Sequence, residues 1–221
     1  GDMIGDGIIF DILANQSLPA ISLAGRQKTG VSTIGYDDDK GIRLMWDHLY
    51  GLGHRRIAFL GNKLHTSVKN RLESFRRLHH EFDTALDERL IFTPTSIQAV
   101  VECVKTILSL DCPPTAILCA SDYFAQFAIY TVLQMGWKIP EDITIVGYDY
   151  ISELRELYVP LTTIRQPTEL AAEQALSELM EQIRSSIAGE KCLPKSIVIS
   201  PELIISKSSG PATQRRKNGS S

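Results

Sequence analysis

The chain has 221 residues, 43% of them hydrophobic, and a formal net charge of −3 at pH 7. This length and composition suit one or two packed domains and argue against a disordered or fibrous protein. The slightly acidic charge gives no sign of the basic face of a free-standing nucleic-acid binder, and no apolar run approaches the length of a membrane span.

Two short strands are expected near the start of the chain, at Gly7–Phe10 and Ala20–Leu23. Further along, short apolar runs bounded by polar, Gly or Pro residues predict buried parallel strands. These runs are Ile57–Leu60, Leu90–Phe92, Ala116–Cys119 and Ile143–Val146.

Between the strands, apolar residues recur with helical spacing and predict four amphipathic helices. The helices are expected near residues 42–52, 72–82, 97–108 and 124–135. A fifth, long helix is expected after Pro167, and its apolar side would carry Leu170, Leu176, Leu179, Ile183 and Ile187. The alternation of strands and helices predicts an α/β protein with a doubly wound parallel sheet.

Two strand-like segments follow the long helix, at Ser196–Ile199 and Leu203–Ile205. From Lys207 onward the chain is rich in Ser, Gly, Pro, Arg and Lys and has little apolar area to bury. Residues 208–221 are therefore predicted to be a disordered tail.

The four cysteines form no Cys-x-x-Cys pair and have no histidine cluster beside them. Zinc requires ligands that converge at short spacing, so no metal site is predicted, and no other cofactor is expected. Cys103 and Cys119 fall inside apolar periodic runs. This placement favours reduced, buried thiols in a cytoplasmic protein.

Candidate binding residues follow from the predicted sheet. In an open parallel sheet, ligands bind beyond the carboxyl ends of the strands. That rule selects four loops: Gly61–Arg71, Thr93–Ser96, Ala120–Asp122 and Gly147–Ile151.

Arg71 stands just inside the start of a predicted helix, where a cation faces the positive end of the helix dipole. This unfavourable position suggests a functional role, because a guanidinium binds neighbouring hydroxyls or a carboxylate. The alternative interpretation is a surface arginine paired with Glu73 or with a loop carbonyl.

Asp122 lies between a strand and a helix, and its carboxylate is suited to accept hydrogen bonds from adjacent sugar hydroxyls. The competing interpretation is that Ser121 or Asp122 caps the helix. Both roles are compatible if Ser121 caps and Asp122 points outward. Asp149 ends another strand and either faces a ligand or orders the chain there. Tyr150 and Tyr123 are suited to stacking on a ring or to half-buried packing.

Several other motifs do not support a specific chemistry. Gly25–Gly30 has the glycine spacing of a phosphate loop but lacks the Lys-Ser/Thr that should follow. Asp37–Asp39 lacks the spacing of a calcium loop and is expected to place favourable charge in the first turn of a helix. His54–Arg56 is interpreted as solvated charge. No serine, histidine and aspartate set can be placed together, so no enzymatic activity is predicted.

Six stretches in consecutive order resemble the ligand-binding core of the lactose/galactose repressor (LacI/GalR) family, which is similar in fold to periplasmic sugar-binding proteins. They are Asp6–Ile9, Leu49–Gly61, Arg71–Phe75, Pro114–Asp122, Gly136–Asp149 and Pro160–Pro167. The last stretch favours the repressors over their periplasmic relatives.

The resemblance implies a periplasmic-binding-protein-like fold of two doubly wound parallel-sheet lobes, with an effector bound between them. It assigns residues 1–34 and 160–189 to an incomplete N-terminal lobe, and residues 35–159 and 190–207 to the C-terminal lobe. The helix-turn-helix domain of the family and the first βαβα unit of the N-terminal lobe are expected to lie outside this chain.

The resemblance also implies a set of effector-binding residues. Arg71 and Asp122 match an arginine and an aspartate that contact effectors in the family, and Ser67 and His65 lie where some members place further polar contacts. With Asp149 and Tyr150 they form the predicted site.

The implied partners are a sugar or nucleoside-like effector, a second copy of the chain in a homodimer, and operator DNA bound through the absent N-terminal domain. The alternative function is a periplasmic sugar-binding protein of a transporter.

Overall fold

The computed structural model describes residue 12 and residues 18–23, 31–154, 158–190 and 192–213. The chain divides into two compact units. Unit 1 comprises residues 1–37 and 166–201, and unit 2 comprises residues 38–165 and 202–221. The predicted strand at Gly7–Phe10 lies outside the described residues.

The described residues contain nine strands and five helices of regular α type. The strands are β1 (Ile21–Leu23), β2 (Ser32–Tyr36), β3 (Ile57–Leu60), β4 (Ile91–Phe92), β5 (Ala116–Cys119), β6 (Thr144–Asp149), β7 (Thr162–Arg165), β8 (Ser196–Ile199) and β9 (Glu202–Ile204). The helices are α1 (Asp38–Gly51), α2 (Thr66–Glu81), α3 (Ile97–Leu108), α4 (Asp122–Gln134) and α5 (Thr168–Ile187). None of these five helices combines the length and apolar character needed to cross a membrane.

Unit 2 is built on a six-stranded sheet in the order β4-β3-β5-β6-β7-β9. All neighbouring strands are parallel except β7 and β9, which pair antiparallel at one edge. Because the central strands are parallel, their carboxyl ends meet along one edge of the sheet, which is where ligands bind in folds of this kind.

Helices cover both faces of this sheet, as the continuous apolar character of the central strands requires. Side chains of β3 alternate between two cores: Ala58 and Leu60 pack with α3 and α4, whereas Ile57 and Phe59 pack with α1 and α2. The doubly wound arrangement predicted from the sequence is therefore confirmed for unit 2.

In unit 1 the described strands form a parallel three-stranded sheet in the order β1-β2-β8. Helix α5 packs on it through a small cluster that includes Ile34, Ala171 and Ile199. Unlike the larger cores of unit 2, this interface depends on polar residues: Glu178 and Gln182 of α5 are buried and bond to Ser32 of β2.

Three features of the structure differ from what the sequence predicts. First, the division between lobes differs from the expected one. Residues 162–165 were expected in the N-terminal lobe but form β7, which pairs with β6 in unit 2. Residues 196–199 were expected in the C-terminal lobe but form β8, which pairs with β2 in unit 1. Residues 35–37 likewise belong to unit 1. Backbone pairing therefore moves the boundaries from 34, 159 and 189 to 37, 165 and 201.

Second, residues 208–213 are not a disordered tail. Ser208 is fully buried, with its Oγ donating to the carbonyl of Ile145 at 2.6 Å and accepting from the amide of Thr162 at 2.9 Å. Composition was misleading here because this segment is held by hydrogen bonds rather than by apolar burial. Residues 214–221 lie outside the described part of the chain.

Third, the expected apolar face of α5 is only partly its buried face, since Leu179 and Ile183 are half-buried and the other three predicted residues are exposed. Leu176 and Ile187 are 63% and 83% exposed, and Leu170 is 43% exposed. The residues of α5 that are buried are Ala171, Glu178 and Gln182. The polar face is turned inward because Ser32 and Lys195 provide it with hydrogen-bond partners.

Candidate functional site

Arg71 lies in the second turn of α2 and is buried in unit 2. Its Nε donates to Asp38 Oδ1 at 2.8 Å, and its Nη1 donates to the carbonyl of Ala120 at 2.7 Å and to Asp149 Oδ1 at 3.3 Å. The guanidinium carbon lies 3.6 Å from the ring centre of Tyr148. Arg71 therefore connects the carboxyl ends of β5 and β6 with the start of α1, and it is not the surface residue of the alternative interpretation.

The charges of this cluster are mutually stabilising. Burial disfavours the guanidinium charge, but Asp38 and Asp149 outweigh it and hold the pKa of Arg71 above its ordinary value. Burial raises the pKa of Asp149 to about 6, and Arg71 acts in the opposite direction. The Asp149 carboxyl group is thus held close to a change of protonation state near neutral pH.

Two atoms of the cluster have capacity for a ligand. The three hydrogen bonds of Arg71 use its Nε and Nη1 and, on Asp149, only Oδ1, so Arg71 Nη2 and Asp149 Oδ2 take no part in them. The Asp149 side chain is 32% exposed, whereas that of Arg71 is 5% exposed. A guanidinium donor beside a carboxylate acceptor suits a ligand with neighbouring hydroxyl groups, each of which both donates and accepts.

The backbone that presents Asp149 is unusual. Asp149 and Tyr150 have positive φ angles of 108° and 60°. Non-glycine residues seldom adopt this region, and such conformations concentrate at functional sites where surrounding contacts enforce them. Tyr150 is half-buried, and the guanidinium of Arg165 lies 5.5 Å from its ring centre.

Asp122 does not point outward as expected. It is 0% exposed, and its Oδ1 accepts from Thr163 Oγ1 at 2.5 Å while its Oδ2 accepts from the amide of Ile151 at 2.8 Å. Burial raises the pKa of Asp122 to about 6, while these hydrogen bonds lower it. Ser121 is the cap of α4, since its side chain accepts from the amide of Phe124 at 3.3 Å.

The remaining predicted residues lie around this cluster. Ser67 is half-buried on α2, one helical turn before Arg71, so both side chains occupy the same face of that helix. His65 is exposed at the N-cap position of α2 and makes no side-chain cap hydrogen bond. Tyr123 is 46% exposed, but its ring packs edge-on against Phe127 of the same helix.

Asp38 and Tyr148 are the members of the cluster that the sequence interpretation did not identify. The run Asp37–Asp39 was assigned to the first turn of α1, and Asp38 and Asp39 do lie there. Nothing in the spacing links Asp38 to Arg71, which follows 33 residues later. A possible signal was the unpaired cation at Arg71, which requires an anion when it is buried.

The arrangement is suited to binding a polar ligand. No group of three or more His, Cys, Asp or Glu side chains among the described residues is placed to hold a metal ion. Arg71 and Asp149 instead provide a fixed donor and a fixed acceptor side by side.

Comparison with known proteins identifies the family of the chain. The sequence pattern of the periplasmic binding protein-like domain matches residues 46–209. The chain is 32% identical over 171 residues to the HTH-type transcriptional repressor PurR of Mannheimia succiniciproducens. The matched region covers 76% of this chain but only 50% of that protein. The chain thus spans half the length of this relative.

Solved structures give the same assignment. A LacI transcriptional regulator from a Rhodococcus species matches with a TM-score of 0.79 and 29% identity, covering 95% of this chain and 76% of that one. The transcriptional regulator CelR in complex with cellobiose matches with a TM-score of 0.76 and 25% identity, covering 89% and 61%. The chain therefore belongs to the periplasmic binding protein-like domain family, and within it the chain is similar in sequence and structure to transcriptional regulators, a LacI regulator among them.

Proposed function

We propose that this chain is the effector-binding core of a LacI-family transcriptional repressor, and that Arg71 and Asp149 bind a sugar-like effector. One observation carries the proposal. At the carboxyl ends of the central strands, Asp38 and Asp149 hold a buried arginine through its Nε and Nη1, and these bonds do not use Arg71 Nη2 or Asp149 Oδ2. A donor and an acceptor side by side at this edge of the sheet suit recognition of adjacent hydroxyl groups, in addition to their structural role in the cluster.

The other predicted residues have supporting roles. We propose that Ser67 and His65, at the start of α2, add polar contacts to the effector, and that the half-buried ring of Tyr150 packs against it beside Asp149. Asp122 has both carboxylate oxygens bonded within the protein, so we propose that it acts on the effector through the turn that carries Asp149.

The class of effector is proposed from chemistry and from one relative. The CelR structure contains cellobiose, a ligand with many neighbouring hydroxyls, which fits the donor and acceptor pair found here. A nucleoside-like ligand also presents adjacent ribose hydroxyls and is the second class to test. The compared proteins are transcriptional regulators, which favours the repressor over the periplasmic transport protein.

The partners of the whole regulator are also proposals. We propose that operator DNA is bound by a part of the regulator beyond these 221 residues, in the cytoplasm, and that the core has no catalytic role. A homodimer is supported by exposed aromatic and aliphatic side chains on and near α4, namely Tyr123, Tyr130, Leu133 and Tyr158. Sedimentation at micromolar concentration tests this: a monomer would contradict the dimer.

The effector site is tested by ligand binding to matched variants. D-ribose, D-glucose, cellobiose and adenosine are added to the wild-type chain, and the melting temperature is measured, because a ligand of the folded state raises stability by mass action. Calorimetry then compares the best ligand on Asp149→Asn and on Asp111→Asn, an exposed loop control.

We expect Asp149→Asn to weaken binding by about 10- to 100-fold, the equivalent of one hydrogen bond to a charged group. Asp111→Asn should bind like the wild type. The proposal is overturned if no ligand of the panel raises the melting temperature, or if Asp149→Asn binds with unchanged affinity.

A further inference from the structure

The turn after β6 is held in a conformation that its own residues disfavour. Asp149 and Tyr150 are consecutive non-glycine residues with positive φ angles of 108° and 60°. A free chain would relax both residues into the ordinary β or α regions, so contacts from elsewhere must hold the turn. Arg71 contacts the side chain of Asp149, but that bond is long, at 3.3 Å, and leaves the backbone of Tyr150 unrestrained.

Asp122 supplies the contacts that this turn requires. Its Oδ2 accepts the amide hydrogen of Ile151 at 2.8 Å, and the backbone of Tyr150 also bonds to the carboxylate. Two consecutive amides that converge on one carboxylate fix the direction of the chain directly after Asp149, because a carboxylate accepts several bonds at once.

The carboxylate is itself held on its other side. Oδ1 accepts from Thr163 Oγ1 on β7, and Asp122 is the first residue of α4, where a negative charge is favoured by the helix dipole. Gly147 of β6 leaves space for the Asp122 carboxylate, because a Cβ at position 147 would lie 2.3 Å from Asp122 Oδ1. Asp122 thus joins β7, α4 and the turn after β6.

We propose that Asp122 is a positioning residue for the candidate effector site: it holds the strained Asp149–Tyr150 turn so that the Asp149 carboxylate faces Arg71. It has no contact with the ligand itself. The proposal rests on the proposed function for its biological meaning, but its physical content concerns only the turn and is measured without any effector.

The experiment uses a matched pair of Thr→Val substitutions in the full chain. Thr163 and Thr131 are both buried and both donate a side-chain hydrogen bond, Thr163 to Asp122 and Thr131 to the carbonyl of Phe127 on the same helix as Asp122. Amide hydrogen exchange is measured by NMR at Ile151, with Leu118 of β5 as the internal reference for global stability. The carbon-13 titration of the Asp149 carboxyl group is recorded for the same samples.

We expect Asp122→Ala to speed exchange at Ile151 by at least about tenfold relative to Leu118, because the amide loses its acceptor. Thr163→Val should give a smaller increase of at least about threefold, since the carboxylate is freed to rotate. Both variants should shift the Asp149 titration, because its carboxylate is no longer held against Arg71. Asp122→Asn retains one oxygen acceptor and should keep Ile151 protected.

Thr131→Val is expected to change neither readout. The inference is overturned if Ile151 exchange and the Asp149 titration stay at wild-type values in Thr163→Val and Asp122→Ala, or if Thr131→Val alters them equally. Should Asp122→Ala not fold, the Thr pair decides the question alone. A chain that binds none of the tested ligands would contradict the proposed function and leave these outcomes unaffected.

Discussion

Arg71 is both a candidate ligand contact and a structural residue of unit 2. Its side chain is 5% exposed and is the cation shared by Asp38 and Asp149. Removing one partner from a buried ionic cluster leaves uncompensated charge, which typically costs about 3–5 kcal/mol. We therefore expect Arg71→Ala to lower the free energy of unfolding by about this amount, as measured by urea denaturation.

Two comparisons check the origin of that loss. Arg76 lies on the same helix as Arg71 and forms an exposed ion pair with Glu88. Arg76→Ala removes this pair and should lower the free energy of unfolding by no more than about 1 kcal/mol. Adding Asp149→Asn to Arg71→Ala should restore part of the lost stability, since one unpaired carboxylate is neutralised. Equal stability of Arg71→Ala and Arg76→Ala would show that the buried cluster contributes nothing.

The buried carboxyl groups also predict a dependence of stability on pH. Burial raises the pKa of Asp149 from 3.8 to about 6, so its protonated form is favoured in the folded state. The corresponding stability is fully present below the unfolded pKa and is lost as the pH rises through the folded value. We expect the unfolding free energy of the wild type, relative to Asp149→Asn, to fall between about pH 4 and about pH 6.5.

Urea unfolding at several pH values measures this difference, with the exposed Asp111→Asn as the control for altered net charge. A relative stability that is flat or increases across that interval would contradict the assignment of the shift to Asp149.

The sequence could identify a site residue only where its role follows from neighbouring residues in the chain. Arg71 was recognisable because its position conflicts with the helix dipole, and Ser121 because capping is a local pattern. The inward orientation of Asp122 depends on Thr163, a partner distant in sequence. The burial of His54, interpreted as solvated, likewise depends on Thr115 and on the carbonyl of Gly210.

At the scale of elements, apolar runs identified the strands whose buried side chains are apolar. They missed the strands whose buried side chains include polar residues. Strands β3 and β5 are runs of four buried apolar residues and were predicted at their observed bounds. Strands β2 and β7 were not predicted as strands, because they contain Ser and Thr residues that are nevertheless buried. Backbone pairing and side-chain hydrogen bonds compensate for that burial, and neither is visible in a hydropathy pattern.

Helix α5 provides a direct test of this distinction. Glu178 is 4% exposed and bonds to Ser32, Gln182 and Lys195, whereas Leu176, two residues earlier, is 63% exposed. Glu178→Ala leaves buried donors without an acceptor and should cost about 1–3 kcal/mol. Leu176→Ala should change stability by less than about 0.5 kcal/mol, as exposed substitutions usually do.

Hydrogen exchange of the β2 amides reports on unit 1 and is the measurement of choice for this pair. If Leu176→Ala destabilises unit 1 as much as Glu178→Ala does, the apolar face predicted from helical spacing is the packed face after all.

At the scale of the whole molecule, the sheet order shows why the alternating pattern predicted the fold of unit 2 so well. Strands β3 and β4, and likewise β5 and β6, are neighbours in the sheet and are joined in the sequence through a single α-helix, so local patterns and global topology agree. Unit 1 is less predictable because its β2 and β8 are neighbours in the sheet but more than 150 residues apart in the chain.

The C-terminal segment illustrates the same limit and supports the last prediction. Ser208 joins Ile145 and Thr162, and the carbonyl of Gly210 accepts from the buried His54 ring at 2.9 Å. Deleting residues 208–221 leaves these buried groups without partners, and each such group costs about 1–3 kcal/mol. We expect this deletion to lower the free energy of unfolding of unit 2 by at least about 3 kcal/mol. The intact chain is the control, and an unfolding free energy in urea that this deletion leaves unchanged would restore the disordered tail expected from composition.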